Sequence, residues 1–306
     1  MIQEIPMSRS APRSVEQYLE QLKAALAGED PALQQDAMYD AEEYLRAEIG
    51  QHPGKSEADV LELISSTYGA PDEVAEAYRT TEATVRAALA APPRKSPRGP
   101  LGKFFSVYSD WRAYASLFFM FLSLATGIIY FTVAVSGLAI SAGTMILIIG
   151  FPFFLLFLGL VRALALAEGR MVEGLTGTRM PRRPAHASST EPWYQRVIGI
   201  LKERHTWTAL FYMVLQMPLG IVYFVIACTG LAVGLGLTVG PFIYALYLLG
   251  WIQISGDVDV TGPHPVAIPF VIALGVVILT LLLHLARGIG RMHGHLAKAL
   301  LVRPAT

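Results

Sequence analysis

The stretch LFFMFLSLATGIIYFTVAVSGLA at residues 117–139 returns as LFYMVLQMPLGIVYFVIACTGLA at residues 210–232, a constant offset of 93. Of the 23 positions, 12 are identical, among them Phe118/Phe211, Met120/Met213, Gly127/Gly220, Tyr130/Tyr223, Phe131/Phe224 and Gly137/Gly230. Apolar bias alone makes Leu and Ala coincide, but it does not hold Gly, Tyr and Phe in register. The pattern reads as an internal duplication of a segment long and apolar enough to enter a bilayer, where a helical span needs about 20 apolar residues. The expected fold is all-α: a small helical bundle attached to a polytopic membrane domain built from a tandem repeat, with about four spans.

The charges are segregated in a way that the net charge of zero hides. Residues 1–91 carry 17 Asp/Glu against 7 Lys/Arg, whereas 115–161, 207–256 and 260–286 carry none of the four. Basic residues fill the seams between the apolar blocks, and under the positive-inside rule those seams belong on the cytoplasmic side. No apolar h-region opens the chain, so the N-terminus is expected to stay in the cytoplasm. A single cysteine, Cys228, excludes an intrachain disulfide or a cysteine metal cluster.

Counting spans from these seams gives a domain plan. Residues 13–91 form a cytoplasmic helical domain, 92–110 a basic Pro/Gly linker, 111–176 a first membrane repeat, 177–206 a cytoplasmic loop and 207–302 a second membrane repeat. The uncharged residues 115–161 are too long for one crossing and suit two. In the second copy the basic tail (Arg287, Arg291, Lys298, Arg303) requires an even number of crossings, which leaves 233–252 in or re-entering the outer leaflet and Asp257 and Asp259 in an external loop. A fifth span is the alternative. With two spans each and both starting inside, the copies are expected to be parallel, related by an axis along the membrane normal.

The head reads as four helices. Ser14 with Gln17 makes a capping box before Val15, Tyr18, Leu19, Leu22 and Leu26. Asp30-Pro31 opens a second helix with Leu33, Ala37, Ala41, Tyr44, Leu45 and Ile49 on one face. Ser56 and Asp59 start a third, with Val60, Leu61, Ile64 and Tyr68 inward and Gly69 at its end. Pro71, Asp72 and Glu73 open a fourth. The linker that follows, from Pro92 to Lys103, is rich in Pro, Gly and basic residues and reads as an extended tether held in the headgroup layer.

Candidate residues for helix packing or for a ligand cleft between the copies are Gly127, Tyr130, Gly137, Gln216, Pro218, Gly220, Tyr223 and Gly230. The glycines allow close helix approach, the tyrosines place polar atoms inside apolar helices, and Gln216 with the kink at Pro218 distinguishes the second copy. Recognisable chemistry is missing. His293 and His295 do not share a helical face and, with His284, read as a solvated group beside the membrane; His205 and His264 stand alone. Asp257 and Asp259 lack the further ligands that calcium needs. No phosphate loop, nucleophile elbow or metalloprotease helix occurs, and ionisable residues inside the spans are expected only at His284, which disfavours a proton-coupled transporter. An acidic head without a basic patch disfavours nucleic acid. The reading is of a protein that is not an enzyme and takes no cofactor.

Two resemblances refine this. VEQYL from Val15, the acidic second helix DAEEYLR from Asp40, and the turn YGAPDEVA from Tyr68 resemble the HAAS-type helical signalling domain of bacterial membrane proteins, with Tyr68 in place of the usual Leu of its LGxPxxxA turn. Residues 105–302, through LGIVYF, TGLAVGLGL, GFPF and the closing LARGIGRMHGHLAKALL, resemble the sensor domain N-terminal to many bacterial sensor histidine kinases. The resemblance implies sensing and coupling, and no kinase module follows within the 306 residues. The expected role is a membrane sensor whose head binds a cytoplasmic or membrane protein partner through residues 13–91. A permease-like or lipid-handling protein and a structural subunit are the alternatives, and self-association stays open.

Overall fold

The computed structural model describes residues 11–89, 99–144, 150–183, 204–252 and 262–302. Residues 92–98 of the linker, most of the loop at 184–203, and Asp257 and Asp259 lie outside the described residues. All regular elements among the described residues are helical. The chain divides into two compact units: residues 1–92 with 179–202 and 302–306, and residues 93–178 with 203–301.

The first unit contains α1 (Val15–Ala25), α2 (Pro31–Gln51), α3 (Glu57–Ser65) and α4 (Pro71–Leu89). Each starts on a local signal. Ser14 Oγ accepts from the Gln17 amide, Asp30 from Ala32, and Ser56 from Asp59, which satisfies first-turn donors that have no partner within the helix. Glu73 reaches back to the Ala70 amide at 3.0 Å, and Gly69, at φ +103°, makes the left-handed turn between α3 and α4. Val15, Tyr18, Leu22, Leu26, Leu33, Leu45, Val60, Ile64 and Val74 close the core. Tyr18 donates to the Gly69 carbonyl at 2.9 Å, and Tyr44 stacks on Tyr68 at 4.3 Å. Burial pushes the Tyr68 phenol up to about 12.

A fifth element completes this unit. The segment at 179–183 follows the membrane region in sequence, yet its side chains are built into the head. Arg179 donates from Nε to Glu82 at 3.1 Å and from Nη2 to Asp36 at 2.9 Å. The amides of Arg182 and Arg183 donate to the other Asp36 oxygen at 2.7 and 2.8 Å, and Met180 is buried beside them. Burial raises the Asp36 carboxyl above its ordinary range, opposed by the Arg183 amide and the Arg179 guanidinium. For Arg179, burial acts to lower the pKa, but its bonds to Glu82 and Asp36 outweigh this and hold the cation.

The second unit starts with a correction. Residues 100–103, expected as the end of an extended tether, are helical: Pro100–Phe105 is a short helix, α5, and Ser106–Ser109 a 3-10 turn. Proline at the first helical position loses no hydrogen bond and leaves LGKFF free to wind. This segment packs on the last helix, with Val107 buried against Leu283 and the Phe104 carbonyl 2.9 Å from His284 Nε2.

Four long helices follow: α6 (Trp111–Thr144), α7 (Gly150–Thr176), α8 (Arg204–Leu248) and α9 (Ile268–Leu301). All four are long and apolar enough to cross a membrane. Residues 233–248, most of the segment 233–252 expected in or re-entering the outer leaflet, continue α8 as helix. That helix runs for 45 residues through Pro218 and Pro241, or about 67 Å at 1.5 Å per residue.

The pairing of α6 with α8 overturns a second expectation. Phe121 meets Phe224 edge-on at 5.7 Å. A carbon added at Gly127 would lie 2.7 Å from the Gln216 carbonyl oxygen, and one at Gly220 would overlap the Ser123 carbonyl. Numbers rise along α6 as they fall along α8, so the two helices are antiparallel. Ser116 lies against Gly290 and Phe119 against His293, so α9 runs parallel to α6. The C-terminal end of α6 with the N-terminal end of α7, and the C-terminal end of α8 with the N-terminal end of α9, therefore lie at opposite ends of the unit, and the hairpins are inverted, not parallel as the basic seams implied. A helix with a small-residue face can pair with its copy about an axis along or across it, so the offset of 93 alone cannot choose.

Equivalent contacts recur at fixed offsets. Phe157 covers Gly137 as Leu282 covers Gly230. Tyr130 bonds Glu168 as Tyr223 bonds His293, which relates α7 to α9 by an offset of 125 and brings Arg162 onto Arg287 and Gly169 onto Gly294. Replacing Gly127 or Gly220 by Ala should lower stability in detergent by about 1–3 kcal/mol through overpacking. Gly159→Ala, which meets nothing within 4 Å, should leave it unchanged; graded-denaturant unfolding of the three variants checks this.

Candidate functional site

The inward face of α7 is a stripe of Phe154, Phe157, Leu158, Val161, Ala165, Glu168 and Val172 at spacings of three and four. Glu168 occupies a core position of that stripe and is 1% exposed. On α9 the stripe runs through Leu282, Ala286, Ile289 and His293 to Ala297, and His293 is fully buried. Helical periodicity thus carries both ionisable groups into the bundle. It corrects the expectation that His293 is solvated and that no ionisable group other than His284 lies inside.

The two are joined by phenols. Tyr130 Oη donates to Glu168 Oε2 at 3.0 Å, and Tyr212 Oη donates to Glu168 Oε1 at 2.8 Å. Tyr212 Oη is also 2.8 Å from His293 Nε2, and Tyr223 Oη is 3.5 Å from Nδ1. The Phe119 ring lies 4.7 Å from the imidazole, centre to centre, and Glu168 Oε1 is 3.9 Å from Nε2. Four helices each supply a polar group to one chain of hydrogen bonds. An acid and an imidazole this deep are costly unless paired, and an ionisable residue inside a membrane bundle marks function by default.

The residues singled out in the sequence separate into three groups. Tyr130 and Tyr223 belong to the polar cluster. Gly127, Gly220 and Gln216 form the α6–α8 contact, and Pro218 lies inside α8 two residues beyond Gln216. Gly137 and Gly230 are covered by the Phe157 and Leu282 side chains. Glu168, Tyr212 and His293 were missed. The signal for them was the inward phase of an otherwise apolar stripe, visible once α7 and α9 are extended past their basic residues. Gln216 is fully buried, and neither amide atom has a hydrogen-bond partner. Its equivalent, Ser123, satisfies itself by donating to the Phe119 carbonyl at 2.7 Å. His284 is tied to Phe104, while His264 accepts from the Val266 amide at 3.4 Å. Among the described residues, no group of three or more His, Cys, Asp or Glu is placed to hold a metal ion.

Four long apolar helices with a polar interior define a multi-pass α-helical membrane protein. Residues 119–301 match the family described as "Putative sensor", and the chain belongs to that family. No curated protein and no solved structure matches it.

Glu168→Leu should cost about 3–5 kcal/mol, because it removes from the core the acceptor that the Tyr130 and Tyr212 phenols share. Glu168→Gln keeps the acceptor and should cost about 1–3 kcal/mol. Gln216→Leu removes an unpaired amide and should be neutral or stabilising. Unfolding midpoints of the detergent-solubilised chain order the three.

Proposed function

We propose that the protein is a non-catalytic sensor of the bacterial inner membrane, a tandemly duplicated bundle that passes its state to a HAAS-like cytoplasmic head, which engages a protein partner. Membership of the sensor family supports the first half of this reading. The observation that carries the coupling is Arg179. α7, which bears Glu168 inside the bundle, ends at Thr176. Three residues later the chain supplies the cation between Asp36 and Glu82, where its side chain is only 10% exposed. A shift or rotation of α7 pulls on a guanidinium whose release breaks two buried ion pairs, with Asp36 and with Glu82, at a cost of about 3–5 kcal/mol. Such a connection transmits two-state packing changes better than an extended tether does.

Hydrogen exchange on the full chain in lipid nanodiscs tests this reading. Glu168→Gln should change exchange in α2 and α4, and the change should disappear in the Arg179→Ala background. Head exchange that is indifferent to Glu168→Gln would rule the coupling out.

A further inference from the structure

The hydrogen-bond directions in the bundle core limit where its protons can be. Tyr130 and Tyr212 each have one proton, and both phenols are placed to donate to Glu168. When Tyr212 donates to Oε1, its oxygen can only accept from His293, so Nε2 carries a proton. Glu168 is then a carboxylate. A lone negative charge in this interior is prohibitively costly, and a proton on Nδ1 as well makes the core neutral, with that N–H facing Tyr223 and the cation resting on the Phe119 ring. The reversed arrangement is satisfied equally well. Glu168 holds a proton and donates to Tyr212, Tyr212 donates to Nε2, and the imidazole is neutral with its one proton on Nδ1.

We infer that Glu168, Tyr212 and His293 form a proton-transfer switch, in which one proton is shared between an acid on α7 and an imidazole on α9 through the Tyr212 hydroxyl. In the transfer the His293 Nε2–H bond breaks as a new O–H bond forms on Tyr212. The original Tyr212 O–H breaks as one forms on Glu168, so no proton enters or leaves. The groups facing the pair come from every helix of the bundle: Tyr130 and Phe119 on α6, and Tyr212 and Tyr223 on α8. One state holds opposite charges across the α7–α9 contact, and the other holds none. Water stabilises the first and a dry core the second, because charge separation is penalised in a low dielectric. The switch therefore reads the polarity of the bundle interior, which rises when a thinner or looser bilayer, or a polar headgroup, admits water. That it serves as the input of the sensor rests on the reading above; the proton chemistry does not.

The test uses the full chain at neutral pH in nanodiscs of dilauroyl- or dioleoyl-phosphatidylcholine. Infrared spectra report the carbonyl stretch of a protonated carboxylic acid, and nitrogen-15 spectra of labelled histidine report the ring. The acid band lost in Glu168→Gln should be weaker in the thinner bilayer, while the ring signals lost in His293→Gln shift toward imidazolium. The partners should also lock each other. His293→Gln should hold the acid band constant in both lipids, and Glu168→Gln should hold His293 neutral. Circular dichroism confirms that both variants remain helical. An acid band that ignores the lipid, or a His293 signal that ignores Glu168→Gln, overturns the switch. A switch that responds while head exchange stays unchanged would instead remove the coupling and leave the switch standing.

Discussion

Everything in the membrane unit depends on how closely α6 and α8 approach. Lipid tails are as apolar as leucine, so helices in a bilayer gain little from hiding apolar surface and must associate through packing and polar contacts. Gly127 and Gly220 supply that packing by letting each helix rest on the backbone of the other, with no room for a methyl group. The antiparallel register that results carries Tyr130 and Tyr212 to the two oxygens of Glu168. A parallel register would separate these phenols by several turns, and the acid would lose one of its donors.

Much of the architecture was visible in the residues alone, for reasons that can be named. Caps at Ser14, Asp30 and Ser56, and the left-handed turn at Gly69, are local and act within four residues, so the head's helices could be read directly. The four apolar helices follow from length and composition. Orientation did not follow, because charge seams report on neighbouring loops whereas the inversion is set by contacts 93 or so residues apart in the chain. The short helix at Pro100 was hidden by proline and glycine, which break a helix in its interior and start one at its edge. Glu168 and His293 were hidden by adjacent cations: Arg162, Arg170, Arg291 and Lys298 made their segments look solvated, although the inward face of each helix continues through them.

The buried cluster is a poor source of stability for its size. A phenol-bridged acid and imidazole could be exchanged for well-packed apolar residues at little cost to the folded state, since desolvation consumes most of what the pairing supplies. Its interest lies in having two proton arrangements that satisfy the same atoms. Gln216 marks a different departure from economy, a fully buried amide without a partner, on the residue whose backbone Gly127 rests against. An unpaired amide is a local reservoir of unfavourable energy that any polar newcomer could relieve.

The position of Arg179 also bears on how the molecule is made. Asp36 and Glu82 are synthesised early, whereas the guanidinium that pairs with both follows only after α6 and α7. The apolar core of α1–α4 can thus close before the first hairpin exists, and the ion pairs at Asp36 and Glu82 are the last part of the head to form.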